Sequence, residues 1–141
     1  MSLPPFAIAR TLLGVHEKPD PGEHPGIAWM LTLCHGPADD EVPWCSAFAN
    51  FCCRLAGVDQ RTNTLRARDW LGVGTPVALD DARTGNDVVV LKRGDNPELG
   101  HVGFYAGHDS TTVAVLGGNQ SDAVTVARFR HDQVVGIRRV A

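Results

Sequence analysis

PWCSAFANFCCRLAG, residues 43–57, decides how the rest of the chain is read. Pro43 suits the first turn of a helix, where its missing N–H costs nothing. Ala47, Phe48, Phe51, Cys52 and Leu55 recur at the helical period and define one buried face. Gly57 supplies a left-handed stop. Cys45 then lies in the first helical turn, where unpaired N–H groups and the positive dipole end favour an anion. A thiolate is such an anion, and helix N-termini lower the cysteine pKa. Cys52 and Cys53 lie roughly 10 Å further along the axis, outside that field and too far from Cys45 for a disulfide. They read as core. Position alone leaves Cys45 open to two readings, a small buried hydrophobe or a nucleophile. The acidic run Asp39-Asp40-Glu41 just upstream opposes ionisation, so a nucleophile here needs a base.

Outward from this helix, the chain divides into a helical first half and a strand-rich second half. Pro4-Pro5 open a first helix in which Phe6, Ala9, Leu12 and Leu13 share a face and which Gly14 ends. HEKPDPGEHP (16–25) reads as a loop, and a second helix over 26–33 uses Ile27, Met30 and Leu31. A short helical turn over 67–71 buries Trp70. From Asp87 the pattern becomes DVVVLK (87–92), HVGFYAG (101–107), TTVAVLG (111–117), AVTVARF (123–129) and VVGIRRV (134–140). Gly, Asp and Asn separate these runs, as expected of an antiparallel sheet of about five strands. Helices first and strands afterwards predict an α+β fold, with residues 1–141 as one domain.

Composition removes several function classes. A formal net charge of −3 leaves no basic footprint for nucleic acid. No run approaches the roughly 18 to 20 apolar residues of a membrane span. MSLPPFAIARTLLGVHE lacks the basic start and unbroken apolar stretch of a secretion signal, so synthesis in the cytoplasm is expected. The four cysteines, three of them clustered, do not form a disulfide framework. There is no CxxC, HxxxH or HExxH, and adjacent Cys52 and Cys53 point to different helix faces, so no metal is expected. GxxxxGK[ST], GxGxxG and GxSxG are also absent; no cofactor is expected.

A base for Cys45 is found in ELGHVGFYAG, where His101 follows Gly100 and opens a strand. Such a position aims an imidazole into a cleft on a rigid backbone. The other histidines, His16, His24, His35, His108 and His131, fall in loops or at element edges. Downstream, VLGGNQS (115–121) places Asn119 after Gly117-Gly118, and an amide oxygen there can accept the histidine N–H and hold its tautomer. Read alone, Gly-Gly-Asn is equally a hairpin turn.

PWCSAFANFCCRLAG, ARDWL, NDVVVLKRG, GHVGFYAG, VLGGNQSDAV and VVGIRRV together resemble NlpC-type and CHAP cysteine peptidases. The nearest likeness is to the compact group found in phage lysins and bacterial cell-wall hydrolases. The resemblance covers nearly the whole chain. It implies a papain-like fold, and Cys45, His101 and Asn119 match that family's nucleophile, base and third polar residue. It also implies hydrolysis of an amide bond in the peptide part of peptidoglycan, as an endopeptidase or as an N-acetylmuramoyl-L-alanine amidase. Trp44, Trp70 and Tyr105 are the candidate groove aromatics, with plain core packing as their alternative. CHAP domains often carry an acid two residues before the Asn; this chain has Gly117. Asn86 and Asp69 also depart from the usual Gly and Ser. The expected agent is a monomeric lysin that reaches the cell wall or periplasm after release and binds peptidoglycan peptide, without a separate wall-binding domain. The alternatives are a toxin-like amidase effector neutralised by an immunity or inhibitor protein, and a non-catalytic module that holds wall peptide.

Overall fold

The computed structural model describes residues 3–16, 25–34 and 44–141. His24, His35, the acidic run, Pro43 and residues 17–24 of the expected 16–25 loop lie outside the described residues, while Pro25 already belongs to the second helix. Among the described residues three helices come first: α1 (Pro5–Thr11), α2 (Pro25–Leu33) and α3 (Cys45–Leu55). Pro5 opens α1 as expected, and Gly57 ends α3 region at φ +74°. Ile27, Met30 and Leu31 of α2 are buried, as are Ala47, Phe48 and Cys52 of α3. Leu13 and Leu55 are instead exposed; α1 stops at Thr11, so Leu13 never joins its buried face.

The strands are β1 (Thr75–Pro76), β2 (Asp87–Lys92), β3 (Gly100–His108), β4 (Thr112–Gln120), β5 (Ala123–Arg130) and β6 (Val134–Arg139). They form one antiparallel sheet in the order β1-β6-β2-β3-β4-β5. The two-residue β1 adds a sixth strand to the five read from the sequence. Val88, Val90, Val102, Phe104 and Leu116 pack with the helices, against Trp44 and Phe48. Val89, Leu91, Tyr105, Val113, Val115 and Ile137 form a second core with Val77 and Leu79. DVVVLK lacks period-two alternation for this reason: β2 is apolar toward both cores.

The end of β4 departs from the simple strand reading. Gly117-Gly118 is not the hairpin turn; the turn is Ser121-Asp122, both left-handed at φ 53° and 60°, between the paired Gln120 and Ala123. The register slips between Gly117 and Gln120, and Asn119 within this bulge has φ 59°. Gly118 exists for space. A Cβ there would stand 2.6 Å from the Trp44 ring and 2.8 Å from Phe48 Cβ, so β4 touches α3 only because residue 118 has no side chain.

A buried polar network ties the 62–64 segment to α3. Ser46 Oγ donates to the Thr64 carbonyl at 2.6 Å and accepts the Trp70 indole N–H at 2.9 Å. Asn50 Nδ2 donates to Thr62 Oγ1 at 3.0 Å, and its Oδ1 accepts the Asn63 N–H at 2.9 Å. Among the described residues no buried side-chain polar atom lacks a partner.

Gly118→Ala is expected to destabilise the protein by about 1–3 kcal/mol, because both clashing groups are fully buried and cannot withdraw. Urea denaturation measures this; an unchanged midpoint would show that α3 and β4 are not in rigid contact.

Candidate active site

Cys45 is the first residue of α3, with Trp44 at the cap position, so its N–H has no acceptor within the helix. The helix packs against β3 and β4, which brings its N-terminus to the start of β3. His101, the second residue of β3, faces the Cys45 thiol there, close enough for the two side chains to interact directly. The imidazole also lies against the Phe129 ring, with centroids 5.6 Å apart. The pairing of Cys45 with His101 therefore follows from two element starts meeting.

The other face of the imidazole is decided by Gln120. His101 Nε2 and Gln120 Oε1 are 2.9 Å apart. Gln120 Nε2 faces the Thr125 carbonyl at 2.8 Å, Thr125 Oγ1 at 3.0 Å and the Val115 carbonyl at 3.3 Å. Carbonyl oxygens only accept, so the amide NH₂ must point at them and its oxygen at His101. His101 Nε2 consequently carries hydrogen and donates. In the neutral ring Nδ1 is then the free base, on the side left for the thiol.

Electrostatics follow from this geometry. Burial pushes the Cys45 thiol up. The hydrogen bond and positive charge of His101, with the N–H groups of Val102 and Ser46, outweigh burial and hold it below the ordinary thiol value. Burial likewise pushes His101 down, but Cys45 and Gln120 together raise it above the ordinary imidazole value, against the opposing charge of Arg93. The two shifts favour a thiolate–imidazolium pair. The remaining cysteines behave oppositely: burial raises Cys34, raises Cys52 well above the ordinary value and pushes Cys53 up to about 12.

Two cavities flank the pair. One of about 310 Å³ is lined by Cys45 with Leu65, Arg66, Ala67, Leu99 and Arg93. The other, about 340 Å³, is lined by His101 with Asn119, Gln120, Phe129, Lys92 and Arg93. A larger cavity of about 440 Å³, between Pro4, Gly57 and Val140, contains neither reacting residue. Among the described residues no cluster of His, Cys, Asp and Glu could hold a metal ion, and no helix is long and apolar enough to cross a membrane.

Four of the residues expected at the site are placed differently from the leading reading of the sequence. The contact expected of Asn119 is made by Gln120, because the bulge after Gly117 exchanges which residue faces the histidine. A Cβ at Gly117 would stand 2.8 Å from Gln120 Oε1 and 3.3 Å from His101 Nε2, so the missing side chain there is the room the Gln120 amide fills. Asn119 lines the same cavity but makes no side-chain hydrogen bond to a described residue. Trp44 and Trp70 are fully buried and offer no surface to a ligand. Trp44 instead packs at Gly118, and Trp70 donates to Ser46. Tyr105 belongs to the second core, where its hydroxyl lies 2.6 Å from His108 Nδ1. Reasoning from the sequence missed Gln120 and the cationic rim of Lys92 and Arg93. Recognising Ser121-Asp122 as the hairpin turn is the signal that would have pointed to Gln120 as the residue paired at its base.

Iodoacetamide at neutral pH is expected to modify Cys45 well before Cys34, Cys52 or Cys53, read by peptide mass mapping over time. Equal rates at all four thiols would contradict the activation of Cys45.

No family model matches the chain, and no curated protein matches it. Among solved structures it is similar to NlpC1 from Trichomonas vaginalis, with a TM-score of 0.55 and 19% identity. That match covers 96% of this chain and 42% of NlpC1. An NlpC/P60 family protein from Bacillus cereus ATCC 10987 aligns with a TM-score of 0.48 and 14% identity, over 68% of this chain and 31% of its own. The chain thus spans less than half the length of either. With a cysteine-bearing helix packed on an antiparallel sheet that presents a histidine, the protein has an α+β, papain-like fold similar to that of NlpC1.

Proposed function

We propose that this protein is a thiol hydrolase that cleaves an amide bond in the peptide part of peptidoglycan. The observation that carries the reading is the series of Cys45 at the start of α3, the adjacent His101, and Gln120 hydrogen-bonded to that imidazole, with the thiol pKa lowered and the imidazole pKa raised. Peptidoglycan as substrate is supported by the NlpC/P60-type fold and by the sequence resemblance to cell-wall hydrolases.

In the proposed cycle, Cys45 Sγ⁻ adds to the amide carbonyl carbon and the carbonyl π electrons move to oxygen. The Cys45 N–H at the helix start stabilises that oxyanion. As the C–N bond breaks, His101 Nδ1–H delivers its proton to the departing amine, leaving a thioester and neutral imidazole. Water then adds to the thioester carbonyl while Nδ1 takes one of its protons. Collapse releases the carboxylic acid and restores the ion pair. Gln120 accepts the Nε2–H throughout, keeping Nδ1 directed at the reacting atoms. A module that merely held wall peptide would have no use for a buried ion pair of this kind.

Digestion of purified peptidoglycan, with mass spectrometry of the soluble fragments, is expected to reveal new amine termini with the wild type and none with Cys45→Ala. Equal products from both proteins would rule out the thiol mechanism. The same fragments identify the bond cut and so separate an endopeptidase from an amidase.

The pH dependence of kcat/KM is expected to be bell-shaped. Its acid limb, protonation of the thiolate, lies below the ordinary thiol pKa; its alkaline limb, loss of the imidazolium proton, lies above the ordinary histidine value. Gln120 helps to raise His101, so Gln120→Ala should move the alkaline limb to lower pH. It should also lower kcat/KM at least about tenfold, as part of the 10²–10⁴ that general acid–base catalysis contributes. An unmoved alkaline limb would remove Gln120 from the mechanism.

A further inference from the structure

The two cavities beside the reacting pair differ in charge. On the Cys45 side, Arg66 is answered by Glu98 at 2.7 Å, and Leu65, Ala67 and Leu99 supply apolar wall. On the His101 side the cavity is lined by Lys92 and Arg93, with no aspartate or glutamate among the described residues. The adjoining cleft of about 270 Å³ again balances its cations, Lys92 and Arg130, with Asp95 and Asp132. Arg93 differs from the other arginines around these clefts. Arg66 pairs with Asp69 and Glu98, Arg68 donates to the Leu99 carbonyl at 2.8 Å, and Arg130 pairs with Asp132 at 3.1 Å. The Arg93 guanidinium donates to no described group, yet lines both cavities and lies close enough to oppose protonation of His101.

The chemistry orients a substrate in this groove. In acyl transfer from an amide, the leaving nitrogen must take its proton from the imidazole, so the amine-side fragment departs over His101. The cavity on the His101 side therefore receives the amine-side residue, and the more apolar cavity beside Cys45 receives the acyl side. A planar, permanently charged guanidinium without an acceptor among the described residues is suited to a carboxylate, which it can grip through two parallel hydrogen bonds.

We propose that Arg93, supported by Lys92, is the specificity-determining residue of this site and binds a carboxylate on the amine-side residue of the bond that is cut. The proposal rests on the hydrolase reading above and narrows its substrate class to amides whose leaving residue is anionic. An uncharged leaving residue would leave Arg93 without an anionic partner among the described residues, beside the imidazolium. A bound carboxylate also neutralises the charge that opposes His101 protonation, so the correct substrate favours the ionised pair.

The test uses muropeptides released from purified peptidoglycan by a muramidase, either with free carboxyls or with those carboxyls converted to carboxamides. For the wild type, amidation is expected to lower kcat/KM about tenfold, mainly through KM, equivalent to about 1.4 kcal/mol. For Arg93→Gln the same amidation should cost less than about threefold, and Arg93→Lys should fall between, since an ammonium keeps the charge but not the fork. Equal wild-type kcat/KM on both pools would overturn the proposal, as would an amidation loss in Arg93→Gln as large as in the wild type. A wild type inert on both pools, while folded by circular dichroism, would overturn the hydrolase reading and this inference with it.

Discussion

The contact between the Cys45 thiol and the His101 imidazole is the constraint around which the chain is organised. Cys45 is buried to 4% exposure, and a lone thiolate in such a place would suffer a desolvation cost that keeps it protonated. Only an imidazolium in direct contact, with the backbone N–H groups of Ser46 at the helix start and of Val102 on β3, reverses that balance. The contact requires the first turn of α3 and the first residues of β3 to meet. The paired Trp44, Phe48 and Phe104 packing and the polar network through Ser46, Asn50 and Trp70 hold α3 in that position.

The absence of two side chains makes the site possible. Gly118 lets the Trp44 ring and Phe48 press directly on β4, which sets the distance between helix and sheet. Gly117 leaves open the volume beside His101 Nε2 that Gln120 occupies. A carboxylate at position 117, as in the CHAP pattern that the sequence resembles, would need that same volume. A neutral amide in its place orients the imidazole without adding a charge, so the elevation of the His101 pKa owes more to Cys45 than to its third partner. Gln120 is itself held through three contacts to Val115 and Thr125, which makes its orientation a property of the β4–β5 hairpin.

Much of this was legible in the residues. The helix over 45–55 followed from apolar spacing and Gly57, and the strands from β-branched runs bounded by turn residues. Cys45 stood apart from Cys52 and Cys53 by its place at a helix start, and His101 from the other histidines by its place at a strand start. These readings depend on local periodicity and end effects, which a sequence carries directly. Trp44, Trp70 and Tyr105 show the opposite case. An aromatic near a reactive residue reads equally as groove or core, and burial is settled by what packs on the far side.

The sequence by itself determined the α+β order, the helix that carries Cys45 and the strand that starts at His101, because each follows from patterns within a dozen residues. Only the tertiary structure decided that Gln120 rather than Asn119 meets the imidazole. Period-two alternation places residues 117 and 119 on one side of a strand and 120 on the other, and one bulge reverses the assignment. That bulge arises from pairing with β5 and from the Ser121-Asp122 turn, so it exists only once the strands have come together. That Arg93 has no acceptor among the described residues has the same origin: whether a cation has a partner depends on segments distant in the chain, brought alongside by the fold.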